Sequence, residues 1–351
     1  MEKGKMLLVA LGQGAGNIVD GLLSRNSRYN GLFINSSLFD IKPLKNADMG
    51  KNVYVYPGTD GSGRDRTKSK EMIRDNANAI GILLSKYPLT EVVVVFTTMA
   101  GGTGSGAIKT FIQIAKKVLP NSKINVVAIL PSLKEDELAF KNTIECWNDI
   151  NSIMNLINDV KFVDNNKRNT YKEINNEVIE SLDLAYNIVG IHADGSIDNK
   201  DSFRINTADG SGLILKLYDG LKDAKTAIDL AIKNSVFVQQ DVYDCDYLAI
   251  NLKIDGYDPY EVTKLFEVYR STYITYNKKN NIVVLGGCET PTESINLIKM
   301  ALEDKNKRKL SRNKKRSVII DLDTDSKENE DELDLFNNSE LNNLLDDNYN
   351  L

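Results

Sequence analysis

The chain has 351 residues, 42% of them hydrophobic and 26% charged, and a net charge of −5. That is an ordinary soluble composition with enough apolar mass for two packed domains. No apolar run approaches the ~20 residues that a membrane-spanning helix needs, and Met1-Glu2-Lys3-Gly4-Lys5 leads into a short strand rather than a signal peptide, so no membrane role is expected. Cys146, Cys245 and Cys288 are scattered and His192 is the sole histidine. A disulfide framework, a zinc site and a His-dependent triad are therefore not expected, no metal-ligating cluster is read, and a reducing cytoplasm is the expected location.

The elements follow in chain order. Residues 6–11 read as a buried strand, then Gly12-Gln13-Gly14-Ala15-Gly16-Asn17, then a helix carrying Ile18, Val19, Leu22 and Leu23. Residues 31–35 and 52–56 are short strands, and a glycine-bearing loop, 58–64, follows the second. Residues 69–86 have helical spacing. The run 92–98 is a strand buried on both faces, followed by Met99-Ala100-Gly101-Gly102-Thr103-Gly104-Ser105-Gly106 and a helix; residues 124–130 form another buried strand ending at Pro131. Strands alternating with helices predict an α/β fold, a Rossmann-like, mostly parallel sheet with the post-strand loops gathered at one ligand-binding edge. The second half changes character. A long helix spans 171 to about 189, helices cover about 221–233 and 259–269, and strands cover 247–254 and 281–285. The expected organisation is a nucleotide-binding domain at 1–170, a central helix at 171–190, a loop region at 191–220 and a smaller α+β domain at 221–304.

Charge divides the C-terminus sharply. Residues 305–316 hold eight basic residues and no acidic one, whereas 317–351 hold eleven acidic residues and one lysine. The polar, Asn-rich tail favours disorder, and Leu333, Leu335, Phe336, Leu341, Leu344 and Leu345 offer a face for docking.

Two glycine loops, each between a strand and a helix, bring backbone amides and helix N-termini close to an anion, and together they grip a polyphosphate from two sides. A P-loop is excluded because Gly106-Ala107-Ile108 lacks its lysine, and a dinucleotide fingerprint is disfavoured because Asn17 stands at its last glycine. Gly101-Gly102-Thr103-Gly104-Ser105-Gly106 resembles the GGGTGTG/GGGTGSG signature of the tubulin/FtsZ superfamily, with Ala100 for its first glycine. Gly12-Gln13-Gly14-Ala15-Gly16-Asn17 resembles the family's first phosphate loop. Residues 223–232 are similar to the helix opening the family's activation domain, and a Pro-Tyr-Glu-Val helix start follows the strand at 247–254. The resemblance covers residues 6 to 304 and is nearest the TubZ-type plasmid and phage segregation proteins.

That resemblance implies a GTPase that binds GTP/GDP with Mg2+. It places Gly12, Gln13, Gly14, Gly16 and Asn17 on the α/β-phosphates. Gly101, Gly102, Thr103, Gly104 and Ser105 supply amides and hydroxyls, and Asn35 ends the second strand. Loop 58–64 takes the γ-phosphate-sensing position. Glu135 takes the ribose-binding position. The arginine expected four residues later is Ala139, with Lys141 as a substitute. Asn165 is a nucleoside contact and Asn176 reads the guanine edge, with Asn175 and Asn176 otherwise helix-capping residues. Asp198 and Asp201 fall on the catalytic acidic positions, with N-terminal helix charge as their other role and Asn206 and Asp209 as the alternative pair. The resemblance further implies head-to-tail filaments, hydrolysis at the subunit interface, and DNA segregation through a DNA-binding adaptor on centromere-like DNA, docked at the C-terminal tail. A division-ring protein of FtsZ type and a nucleotide-binding scaffold without turnover are the alternatives.

Overall fold

The computed structural model describes residues 1–221, 223–238 and 240–316; the acidic tail, and each expectation resting on it, lies outside the described residues. Met1–Lys307 form one compact unit; of the second, Arg308–Leu351, the described part is helical.

The strands are β1 Met6–Leu11, β2 Asn30–Asn35, β3 Val53–Val55, β4 Val92–Thr98, β5 Lys123–Leu130, β6 Asp159–Asp164, β7 Gly190–His192, β8 Gly195–Ile197, β9 Gly210–Lys216, β10 Phe237–Val238, β11 Asp244–Lys253, β12 Glu267–Asn277 and β13 Ile282–Cys288. The helices are α1 Gln13–Arg25, α2 Arg66–Asp75, α3 Ala77–Leu84, α4 Thr103–Val118, α5 Glu137–Asn151, α6 Tyr171–Tyr186, α7 Asn199–Asn206, α8 Ala224–Asn234, α9 Pro259–Thr263 and α10 Thr292–Arg316.

Strands β1 to β6 lie in the order 3-2-1-4-5-6, all parallel, as in doubly wound nucleotide-binding sheets. Their continuous apolar runs are explained by burial on both faces: every residue of β1 is buried, as are Val92 to Thr97 of β4. One core gathers Ile18 and Leu22 of α1 with Ile174, Val178 and Leu182 of α6; the other gathers α2 to α5 and the start of α10 on the opposite face. Each such fully buried aliphatic side chain stabilises the fold by about 1.5–3 kcal/mol relative to exposure. Helices α1 and α6 cross closely because Gly21 has no side chain: a Cβ there would lie 2.2 Å from Ile179 Cδ1.

The second half does not form a detached sheet. Parallel pairing of Asp159 with Gly210 and Val160 with Ser211 splices β9 onto β6; β13 then pairs antiparallel with both β9 and β11, and β12 adds parallel to β11 in the same eleven-stranded sheet. Three predicted elements differ in extent. The helix at 69–86 is two helices, broken at Asn76, whose side chain donates to Met72 O and accepts from Tyr54 Oη at 2.6 Å. The central helix stops at Tyr186, where the Asn187 amide folds back onto Asp183 O. The helix beginning at Pro259 ends at Thr263, and the chain turns into β12. The basic segment 305–316 is the end of α10. Among the described residues no helix is long and apolar enough to cross a membrane.

Candidate functional site

In a sheet of this order, ligands bind beyond the C-terminal strand ends where strand order reverses, which is between β1 and β4. Both glycine loops leave from these two strands and pack on one another. Gly12 has φ +84°, a conformation that L side chains rarely adopt, and a Cβ on it would lie 3.3 Å from Gly104 N. A Cβ on Gly104 would sit 2.2 Å from Leu11 O and 2.6 Å from Thr97 Oγ1. The Gly104 side-chain position therefore faces the first strand, and the residue is glycine because the loops interlock there.

The helix starts provide the chemistry. Helices α2, α5, α6, α7, α8 and α9 each begin on an Asp or Thr whose side chain accepts a first-turn amide: Asp65, Asp136, Thr170, Asp198, Asp223 and Asp258. Helices α1 and α4 begin on Gly12 and Gly102, with no side-chain cap. Two helices of 13 and 16 residues thus present orphan amides and positive dipole ends at the switch point, as polyphosphate binding requires.

A cavity of about 360 Å³ lies there, lined by Gln13, Gly14, Asn17, Gly101, Glu135 and Asn165 of the expected residues, together with Arg64, Thr98, Tyr171 and Asn175. Glu135 Oε1 accepts from Ser132 N and from Tyr171 Oη, both at 3.2 Å. Burial, then the Glu135 carboxylate, pushes the Tyr171 phenol upward, so it is a neutral donor at physiological pH. Asn166 Oδ1 accepts from Leu133 N at 2.8 Å and ties the loop bearing Asn165 to the loop bearing Glu135.

The other expected residues stand behind this lining. Gly16 is buried in the first turn of α1, and Gly102 and Gly104 lie under the loops. Thr103 Oγ1 shares a hydrogen bond with Ser36 Oγ at 2.7 Å and donates to Ser62 Oγ at 3.2 Å. Asn35 Oδ1 accepts from Ser36 N at 2.7 Å, while its Nδ2, buried beside Asp40, has no hydrogen-bond partner of normal geometry. Ser105 is fully buried; its hydroxyl donates to Gly101 O and accepts from Arg66 Nε at 3.2 Å, so it is committed inward rather than to a ligand. Asn175 lines the cavity, four residues and one helical turn after Tyr171. Asn176, about 100° further round α6, is exposed. Lys141 pairs with Glu137 at 2.5 Å and does not line the cavity.

Asp198 and Asp201 lie far from it. Asp198 Oδ1 accepts from Lys200 N and Asp201 N, and Asp201 Oδ2 accepts from Asp198 N, a reciprocal capping box on α7. Amide bonds, first that from Asp201, hold the Asp198 carboxyl below its ordinary range, so it is ionised at neutral pH. At the far end of α7 the Asn206 carbonyl accepts from Asn125 Nδ2 near the start of β5, which places α7 at the N-terminal edge of the strands, opposite the glycine loops. Asn206 of the alternative pair is fully buried, donating to Ala185 O and Ser202 O.

A larger cleft of about 940 Å³ lies among Asp219, Asp223, Lys253, Asp255, Asp258 and Glu261. Asp223 and Asp258 cap helices and Asp219 pairs with Lys253, and the acidic lining repels a polyphosphate.

Residues 5–170 match the tubulin/FtsZ family GTPase domain. Over 323 residues the chain is 32% identical to the tubulin-like protein TubZ of Clostridium botulinum C phage, covering 91% of this chain and 89% of that protein. The chain belongs to the tubulin/FtsZ family. It therefore carries a GTPase domain that binds guanine nucleotide. The solved structure of Clostridium botulinum phage c-st TubZ with a truncated C-terminal tail superposes with TM-score 0.81 at 32% identity, covering 88% of this chain and all of that one. A GTPγS-form protofilament of TubZ from Bacillus thuringiensis serovar israelensis shares the fold at 14% identity, TM-score 0.75, with 88% of this chain and 94% of that one covered. The starts of α1 and α4 carry a signal that sequence reasoning missed: glycine, rather than Ser, Thr, Asp or Asn, stands at both cap positions that open onto the cavity.

Proposed function

We propose that this tubulin/FtsZ-family chain binds GTP, assembles head to tail, and hydrolyses GTP only across the subunit junction. The separation of the two half-sites carries the reading. Tyr171 and Asn175 open α6 at the cavity, and the 16-residue helix runs about 24 Å before the chain reaches Asp198. One subunit cannot close its own site over that distance; stacking brings the next subunit's Asp198, with Asp201 bracing it, to the terminal phosphate. Such heterologous contacts do not close, so filaments result. The Bacillus relative, solved as a GTPγS-form protofilament, supports this. Asp198 polarises the attacking water. Mg2+ enters on the nucleotide, held chiefly by phosphate oxygens and water, as is usual for this ion. The domains follow the same division: nucleotide binding to residue 170, α6 as connector, and the α+β part to residue 304.

Asn175 is assigned the guanine edge, since an amide both donates and accepts. GTP is expected to displace a fluorescent GTP analogue far better than ATP does. Asn175→Leu is expected to weaken GTP roughly tenfold or more, while Asn176→Leu, on the exposed face, leaves it unchanged. Equal affinity for GTP and ATP, or the reverse ranking of the two variants, contradicts the assignment.

In the cell, filaments of this chain move plasmid or phage DNA through a DNA-binding adaptor. The support is residues 317–351, whose net charge of −10 and interspersed leucines suit a basic adaptor–DNA complex. Removing 317–351 is expected to preserve GTP binding and hydrolysis but to abolish co-sedimentation of adaptor and centromere-like DNA. Unchanged co-sedimentation shows that the tail is not the docking segment.

A further inference from the structure

Arg64 is the only Lys or Arg among the described residues lining the cavity. It stands on the loop between β3 and α2, not on α5, where Ala139 occupies the expected arginine position and Lys141 is paired elsewhere. Its guanidinium makes a two-pronged contact with Asp136, Nη1 to Oδ2 at 2.7 Å and Nη2 to Oδ1 at 3.1 Å, and lies 4.0 Å from Glu135.

The backbone beneath it is costly. Arg64 has φ +64° and is the only non-glycine with positive φ among the described residues; the loop's other positive-φ positions are Gly58, Gly61 and Gly63. A glycine at 64 would adopt this conformation without that strain. The conformation is enforced from two sides. Asn142 Nδ2 donates to Arg64 O at 3.0 Å and also to Ala100 O and Gly101 O, fastening Arg64 to the second glycine loop. Gly102 lies directly under it, since a Cβ there would be 2.6 Å from Arg64 Cα. The geometry of the loop thus holds a guanidinium beside the glycine loop.

We propose that Arg64 is the phosphate-binding cation of the nucleotide site, exchanging Asp136 for nucleotide phosphate when GTP enters. This rests on the GTP-binding reading above. The Asp136 side chain is 60% exposed, so its pairing with Arg64 is screened and worth little. A triphosphate offers the same fork-matching oxygens with several charges, and guanidinium favours such bidentate acceptors. Asp136 keeps its second role without Arg64, because Oδ1 still accepts from Ala139 N at 2.9 Å to cap α5.

The test is equilibrium binding of fluorescent GTP to the full chain, kept dilute, with three variants. Arg64→Gly keeps the backbone conformation and removes the cation; it is expected to lose roughly 10- to 100-fold in affinity, the range for charge-assisted hydrogen bonds, with an unchanged or raised unfolding midpoint. Arg64→Lys is expected to fall between. Asp136→Asn retains the helix cap and releases the guanidinium, and is expected to bind at least as tightly as the parent. Parental affinity in Arg64→Gly overturns the proposal, as does Asp136→Asn weakening binding as much as Arg64→Gly, which would make the pair merely structural. Failure of the unsubstituted chain to bind GTP would instead overturn the GTP-binding reading.

Discussion

Asp198→Asn is expected to leave GTP affinity and assembly unchanged while lowering turnover in filaments by roughly 100-fold or more, the range for losing a positioned acid–base group. Asparagine caps as well as aspartate, so its oxygen still accepts from Lys200 N and Asp201 N and α7 keeps its start. What disappears is the carboxylate charge. Filaments should outlive those of the parent because GTP persists in them. Asp201→Asn should have the smaller effect. Its side chain is 20% exposed, braces Asp198 N, and lies 3.5 Å from Arg204, so it positions Asp198 rather than facing the next subunit. Phosphate release and light scattering on the same samples check both. An Asp198→Asn filament with parental turnover removes Asp198 from the mechanism.

Gly104→Val is expected to abolish GTP binding and to destabilise the domain by about 1–3 kcal/mol, as overpacking of rigid neighbours does. The contact at stake is with backbone: Leu11 O would lie 2.2 Å from the new Cβ, and β1 is paired on both sides, by β2 and β4. Relief requires separating the two glycine loops, which parts the α1 and α4 N-termini proposed to share the phosphates. Thermal unfolding and nucleotide binding measured together check this. A variant with lowered stability but intact GTP affinity contradicts the claim that the interlock positions the phosphate amides.

The parallel sheet was legible because buried strands are apolar throughout, and the two loops because glycines between a strand and a helix have few other uses. Sequence periodicity failed where single side chains end elements. Asn76 splits a helix whose apolar spacing continues through it, and β12 follows α9 without any break that periodicity registers. Of the residues named for the site, Gln13, Gly14, Asn17, Gly101, Glu135 and Asn165 line the cavity, and Asn175 lines it in place of Asn176. Asn175 and Asn176 are equivalent in composition, and only the phase of α6 separates them. Ser105 reads as a phosphate ligand until Arg66 is seen to occupy its hydroxyl. Arg64 was not legible as a ligand-facing cation, since its place depends on Gly102 and Asn142, which are 38 and 78 residues distant in sequence. The Asp198 and Asp201 pair reads equally as a helix cap and as catalytic carboxylates, and the structure shows that the cap is formed.

The central claim is that a subunit hydrolyses GTP only with a neighbour stacked on it. GTP turnover per subunit, measured across a dilution series with sedimentation on the same samples, tests it most directly. The expected result is negligible turnover below a threshold concentration and, above it, a rise in parallel with pelleted polymer. Turnover per subunit that stays constant down to dilutions where nothing pellets would show that one subunit completes its own site.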